Sequence, residues 1–286
     1  LTNYACRSDY GSLSNQVSAW AGIDYFACRH YDYRLKYTYP AHILTWPEGN
    51  ARLVSGIMSR VDEDQIRTHT LSMRIDKIGR QFGVAALNVA TDESVLLRAK
   101  SVVYAGKLHT VPYVFPNLPE YQHTALRRIE YSPWLVAAIQ LNEAARLTAT
   151  YRDNVLFDSP SLGYISGQNQ QNPCNRGQVL MYHLPFVENI QQAMQDLLRI
   201  DHRKWVEFIV KDIGQADRSL VGSIQRIELF RWGHGMQRPV PGYVWGLEKS
   251  GAGRLLKEHS LLAVTGRDCL FLRKLFSPVY RQRKRQ

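Results

Sequence analysis

The sequence lacks most of the patterns that announce a chemistry by themselves. Its four cysteines, Cys6, Cys28, Cys174 and Cys269, are widely spaced and form no Cys-x-x-Cys pair. That spacing argues against a zinc site and a disulfide framework, and reduced, buried thiols are the expectation. No apolar run approaches the roughly 18 residues that a membrane-spanning helix needs, and the chain opens on no signal-peptide pattern. Gly-x-Ser-x-Gly, His-Glu-x-x-His and a phosphate loop ending in Gly-Lys-Ser/Thr are all missing. Gly251-Ala252-Gly253 has neither a third glycine nor a preceding strand, so it is no dinucleotide fingerprint. The histidines show no ligand spacing, so no metal is expected; His30, His109, His123 and His202 read as surface groups.

Charge of one sign is in excess but unevenly placed. The 286 residues carry a net charge of +11. Residues 267–286 hold seven basic side chains (Arg267, Arg273, Lys274, Arg281, Arg283, Lys284, Arg285) against Asp268 alone. That tail therefore carries +6 and leaves +5 on the rest. A basic tail on a nearly ordinary body is not a nucleic-acid groove. Apolar content of 45% is that of a globular protein large enough for one big or two modest domains.

Along the chain, the spacing of Val17, Trp20, Ala21 and Phe26 predicts a helix over 14–29. His42 to Trp46 reads as extended and runs into the Pro47-Glu48-Gly49-Asn50 turn. Leu53, Val54, Ile57, Met58 and Val61 predict a second helix whose apolar face packs on a core. From Ile66 the period becomes two: strands at Leu71–Ile75, Val84–Val89, Ser94–Ala99 and Ser101–Ala105 make a meander with a buried last strand. A helix follows over 119–129, then a strand at Trp134–Ile139 and a hairpin about Asp158-Ser159-Pro160. Gly167 to Arg176 reads as a loop, Gln178 to Leu184 as a strand. Two amphipathic helices carry Ile190, Met194, Leu197, Leu198 and Trp205, Phe208, Ile209, Ile213. Strands at Ile224–Phe230 and Leu261–Val264 complete a mixed α/β (α+β) chain without repeats.

The most unusual stretch is Arg231-Trp232-Gly233-His234-Gly235-Met236-Gln237-Arg238-Pro239-Val240-Pro241-Gly242. Two glycines flank a histidine and two prolines stiffen the exit. The expectation is a loop that holds Trp232, His234, Met236 and Arg238 as a ligand wall, or else a buried turn with Trp232 as core.

Five blocks in order carry a family resemblance. They are Ser18-Ala19-Trp20-Ala21-Gly22-Ile23-Asp24-Tyr25-Phe26-Ala27 preceded by Ser8-Asp9-Tyr10-Gly11; Thr45-Trp46-Pro47-Glu48-Gly49-Asn50; Tyr131-Ser132-Pro133-Trp134-Leu135-Val136; Asp153-Asn154-Val155 through Ser159-Pro160-Ser161-Leu162-Gly163-Tyr164; and Trp232 to Gly242. The sequence to about Ala263 resembles the flavin-dependent amine oxidase family, in its bacterial branch of FAD-dependent oxidoreductases or NAD(P)-binding proteins. The resemblance implies an FAD cofactor, hydride transfer from substrate to flavin N5, a small-molecule substrate and a cytoplasmic location.

It also implies a division of the chain. Residues 1–65 would be a helical segment of the substrate domain and 66–118 the flavin-domain meander. Residues 119–222 would be the sheet-plus-helices substrate domain, 223–266 the return to the flavin domain, and 267–286 an unstructured tail. Ser72, Ala105, Gly106, Trp232, Gly233, His234 and Met236 fall at cofactor positions; Trp46, Trp134, Tyr164 and Arg238 at the substrate pocket. Gly106-Lys107 stands where the family has Ala-x-Pro. No lysine occurs in Trp134–Leu141, so no catalytic residue is assigned.

The family opens on a glycine-rich turn that seats the FAD pyrophosphate, and nothing here corresponds to it. The chain begins with Leu1, so the expectation is the middle and later part of such an enzyme. Two other readings are an inactive relic unable to bind FAD and, on charge alone, a nucleic-acid-binding protein. The tail is expected to be an out-of-frame ending. Back-translated with permitted third bases and read from each third codon position, it gives Leu-Phe-Glu-Lys-Ala followed by Ala-Ala-Glu-Ala-Ala, the family's closing helix. Sequencing the gene in close relatives tests this; the same Arg-rich ending in an uninterrupted frame would rule it out.

Overall fold

A computed structural model describes residues 2–27, 46, 48–142, 145, 153–166, 178–242 and 261–263. They form two compact units, Leu1–Asp62 with Glu130–Val244 and Glu63–Ile129 with Trp245–Gln286. The elements in order are α1 (Thr2–Tyr10), α2 (Ala19–Ala27), α3 (Ala51–Met58), β1 (Thr70–Ile78), β2 (Gln81–Asn88), β3 (Glu93–Ala99), β4 (Val102–Tyr104), α4 (Val111–Val114), α5 (Glu120–Arg127), β5 (Glu130–Leu141), β6 (Asp153–Asn154), β7 (Gly163–Ser166), β8 (Gln178–Pro185), α6 (Ile190–Arg199), α7 (His202–Ala216), α8 (Arg218–Val221), β9 (Ile224–Arg238) and β10 (Leu261–Ala263). The expected strand at 42–46 and loop at 167–176 lie almost wholly outside the described residues, as does the tail.

The first unit is built on an antiparallel sheet of order β6-β7-β8-β5-β9. β5 is central: Leu135 pairs Leu184 on β8 and Arg231 on β9, and Ala137 pairs Tyr182 and Leu229. Period-two alternation sends Leu135, Ala137, Ile139 and Leu141 to one face, where each is fully buried. That face meets the helical stripe of Leu197, Trp205, Ile209 and Ile213 from α6 and α7. α7 starts where it does because Asp201 accepts a 2.8 Å bond from the Arg203 amide and caps the first turn. Trp205 meets Phe186 and Phe208 edge-on, with centroids at 5.8 and 6.2 Å. Trp205 is core, as its place on an apolar stripe requires.

The second unit holds the expected meander, β1-β2-β3, with Gly79 in the left-handed conformation at the first hairpin. β4 pairs in parallel with β10; expected as a buried strand, it is only partly buried, with Val103 66% exposed. α4 packs on β1, and Phe115 meets Tyr104 edge-on at 5.6 Å.

The helix expected over 14–29 is split. Ser14–Gln16 form one 3-10 turn and α2 begins only at Ala19. The Ser18 amide, which would feed a continuous helix, instead donates to the Pro239 carbonyl at 2.7 Å. α3 is helical as its spacing predicts, but Leu53, Val54, Ile57 and Met58 are all exposed, so its apolar stripe does not pack on a core among the described residues. His109 and His123, expected at the surface, are half-buried. Cys6 is a buried free thiol; the other three cysteines lie outside the described residues.

Candidate functional site

The stretch expected as a loop is strand from Trp232 to Arg238, and only residues 239–242 leave the sheet, ending in a turn. β9 runs to Arg238, hydrogen-bonded to β5 on both sides of an irregularity. Ser132 pairs Met236 and Trp134 pairs Trp232, so Gly233, His234 and Gly235 together oppose Pro133. Proline has no amide hydrogen for the ladder, and the facing strand bulges there. A side chain at Gly235 would meet the Trp134 ring, its Cβ 2.7 Å from Cδ1, whereas Gly233 faces open space. His234 meets Tyr131 edge-on at 5.4 Å. From the other side Gly11, left-handed at φ +56°, lies against Ser132 and Trp134, where a Cβ would stand 2.8 Å from Trp134 Nε1. Trp134 is thus clamped between two glycines, with its indole N–H buried and unbonded.

The sheet has a second face, opposite α6 and α7. By register it carries Trp134, Val136, Ala138 and Gln140 of β5, Val179, Met181 and His183 of β8, Ile165 of β7, and Arg226, Glu228, Phe230 and Trp232 of β9. Phe230 is 41% and Trp232 49% exposed; Val136, Ala138, Met181, His183 and Ile165 are half-buried. The segment after α1 closes one end at Trp134. At the other end Arg226 and Glu228 pair with each other at 2.7 Å. The middle is apolar and aromatic with one imidazole in it. Burial holds His183 below the usual histidine range, against a hydrogen bond with the Met181 backbone and the charge of Asp153. His183 also meets Trp134 edge-on at 6.5 Å.

Arg238 does not point into that face. Its buried guanidinium donates to Ser12 Oγ at 2.8 Å, Gln16 Oε1 at 2.7 Å and Glu130 Oε2 at 3.1 Å. It fastens the segment after α1 to the ends of β5 and β9. A second internal clamp joins α1 to α7. Arg7 donates to the carbonyls of Ser159 (3.3 Å), Ser161 (3.0 Å) and Pro160. Ser159 and Tyr182 both donate to buried Asp212 at 2.6 Å. Burial first, then the bond to Asp212, drives the Tyr182 hydroxyl pKa far above the phenol range. Tyr164, also raised by burial, belongs to the helix-covered core.

The positions expected at the site therefore scatter. Trp134, Trp232, Gly233, His234 and Met236 come together at the bulge, whereas Arg238 and Tyr164 are internal. Trp46 is half-buried beside the turn at Gly49. Ser72 is exposed on β1 next to a register shift, and Ala105 is exposed after β4; both lie in the second unit. At Gly106 the place of a Cβ is filled by the Tyr104 ring. Of residues 223–266, expected to return to the flavin domain, Ile224–Arg238 are bonded into the five-stranded sheet. Sequence reading missed His183. Its signal was the alternation Met181-Tyr182-His183-Leu184, which sets it opposite the core residues.

For a flavin, the exposed Trp232 and the open space at Gly233 fit the flank of a planar ring. The phosphates are not fitted. Gly-x-Gly-x-x-Gly is missing from the sequence, and no described helix starts on a glycine-rich turn. Among the described residues no group of three His, Cys, Asp or Glu could hold a metal ion, and no helix is long and apolar enough to cross a membrane.

No protein-family model matches the sequence, and no curated protein matches it. Solved structures do. A protein assigned as a protoporphyrinogen oxidase from Exiguobacterium sp. 255-15 superposes with a TM-score of 0.58 at 10% identity, covering 80% of this chain and 48% of its own. Cyclohexylamine oxidase from Brevibacterium oxydans IH-35A superposes with a TM-score of 0.58 at 12% identity, covering 92% of this chain and 57% of its own. The chain thus spans about half the length of the structures it matches. Its fold, mixed α/β with antiparallel sheets, is that of the flavin amine-oxidase-like enzymes.

Proposed function

We propose that this chain is part of an FAD-dependent oxidoreductase, with the face of the five-stranded sheet opposite α6 and α7, which no described helix covers, as its substrate wall and the Trp232–Met236 bulge against the ring end of the flavin. The observation that carries the reading is the partition of that sheet. One face is packed solid by α6 and α7; the other keeps Phe230, Trp232 and a neutral imidazole accessible beside a backbone bulge. Such a face, mostly apolar with few polar groups, is the composition of a small-molecule site. Bound flavin would supply the hydride acceptor at N5. The chain's own residues orient the substrate and exclude water from one side.

The missing phosphate cradle makes the reading testable. Riboflavin and FAD, titrated into the full chain, should both quench tryptophan fluorescence weakly and with affinities within about threefold, because the phosphates gain nothing. Trp232→Ala should remove the quench. FAD retained in stoichiometric amount through purification would refute the unfitted phosphate end. Quenching by neither flavin would refute the ring wall and favour the relic.

A further inference from the structure

Among the described residues, His183 is the titratable side chain in the apolar middle of this sheet face, with Asp153 on the same face beyond it at β6. Its strand neighbours on that face are Val136 on one side and Gly163 on the other. Gly163 is left-handed, φ +91°, and a Cβ there would run into the Asn154 carbonyl, so no side chain can stand beside the imidazole from β7. Trp134 closes the third side edge-on. An uncharged imidazole carries one donor and one acceptor nitrogen.

We propose that His183 is a substrate-facing hydrogen-bond acceptor, and that the molecule taken by this face is an uncharged apolar ring carrying one N–H or O–H donor. The proposal rests on the reading of this face as the substrate wall. The surroundings set the class. Phe230, Trp232, Val136, Ala138 and Met181 offer apolar contact; among the described residues the charges on the face are Arg226 and Glu228, spent on each other, and Asp153 of β6, exposed to water beside Ile165. Among the described residues no unpaired cation faces the middle of this face for a carboxylate. Burial lowers the pKa of the imidazole and so favours its uncharged form near neutral pH, which gives an anion no counter-charge.

The test uses the full chain with benzyl alcohol, toluene and benzoate as probes. Binding is followed by saturation-transfer NMR and by the His183 Hε1 resonance. Benzyl alcohol should bind and shift that resonance. His183→Leu should weaken benzyl alcohol about tenfold, the cost of leaving its donor unpaired, and leave toluene within about twofold, which also reports that the variant is folded. His183→Gln, which keeps an acceptor, should recover most of the loss. Unweakened benzyl alcohol in His183→Leu, with toluene still bound, overturns the role of His183 and leaves the substrate wall standing. Benzoate binding tighter than benzyl alcohol overturns the substrate class. Binding of none of the three overturns both the proposal and the wall.

Discussion

Trp205→Ala and Trp232→Ala should separate sharply in stability, although both remove an indole from the same unit. Trp205 is 6% exposed and touches Phe186 and Phe208 edge-on beneath the sheet. Burying an indole takes about 200 Å² out of water, worth about 5 kcal/mol at about 25 cal/mol/Å². A compact unfolded chain already hides part of that area, which brings the figure to about 3–4 kcal/mol. The cavity left by incomplete collapse returns it to about 3–5 kcal/mol. Trp232 is 49% exposed, so its removal should cost about 1–2 kcal/mol on the same area scale.

Urea unfolding followed by far-UV circular dichroism measures both. The midpoint should fall several times further for Trp205→Ala, with the slope unchanged. The indole N–H of Trp205 has no partner, so Trp205→Phe should cost only about 1 kcal/mol. Equal losses for the two alanine variants, or a Trp205→Phe as damaging as Trp205→Ala, would refute the assignment of one face as core and the other as open.

Three further outcomes follow from the same geometry. Gly235→Ala should lose about 1–3 kcal/mol by forcing Trp134 aside, read as a lower midpoint and a changed near-UV spectrum, whereas Gly233→Ala, facing open space, should stay within about 1 kcal/mol. Arg238→Lys should cost about 2–4 kcal/mol, because one ammonium cannot serve Ser12, Gln16 and Glu130 at once, while Glu130→Gln, half-exposed, should cost under about 1 kcal/mol. The lowered pKa of His183 means that the unfolded chain binds more protons between the folded value and 6.5. Stability should therefore rise with pH through that window and be lost as pH falls. Urea midpoints at about pH 5 and about pH 7.5 should show this slope reduced in His183→Gln.

Much of the fold was legible in local patterns, because period two and period 3.6 are properties of adjacent residues. The meander, β5, β8, and the stripes of α6 and α7 lie where alternation and helical spacing set them. Trp205 could be recognised as core for the same reason. The five ordered blocks, from Trp20 to Gly242, pointed to the flavin amine-oxidase-like fold that the solved neighbours share.

What only the tertiary structure decided is how distant segments meet. Two glycines and two prolines look like a loop when read alone. β9 passes through the two glycines and ends at Arg238, before the prolines, because its partner across the ladder is Pro133, about a hundred residues earlier, and a strand that faces a missing donor can bulge and continue. Arg238 sits next to that bulge and looks available, yet its donors are taken up by Ser12, Gln16 and Glu130, which no local pattern relates to it. α3 has a perfect apolar stripe and no core against it among the described residues, since spacing fixes which side chains share a face but not whether anything covers it. For His183, alternation fixed that it points away from Tyr182 and Leu184. Only the placing of α6 and α7 on the other side of the sheet left that imidazole on a face that no described helix covers.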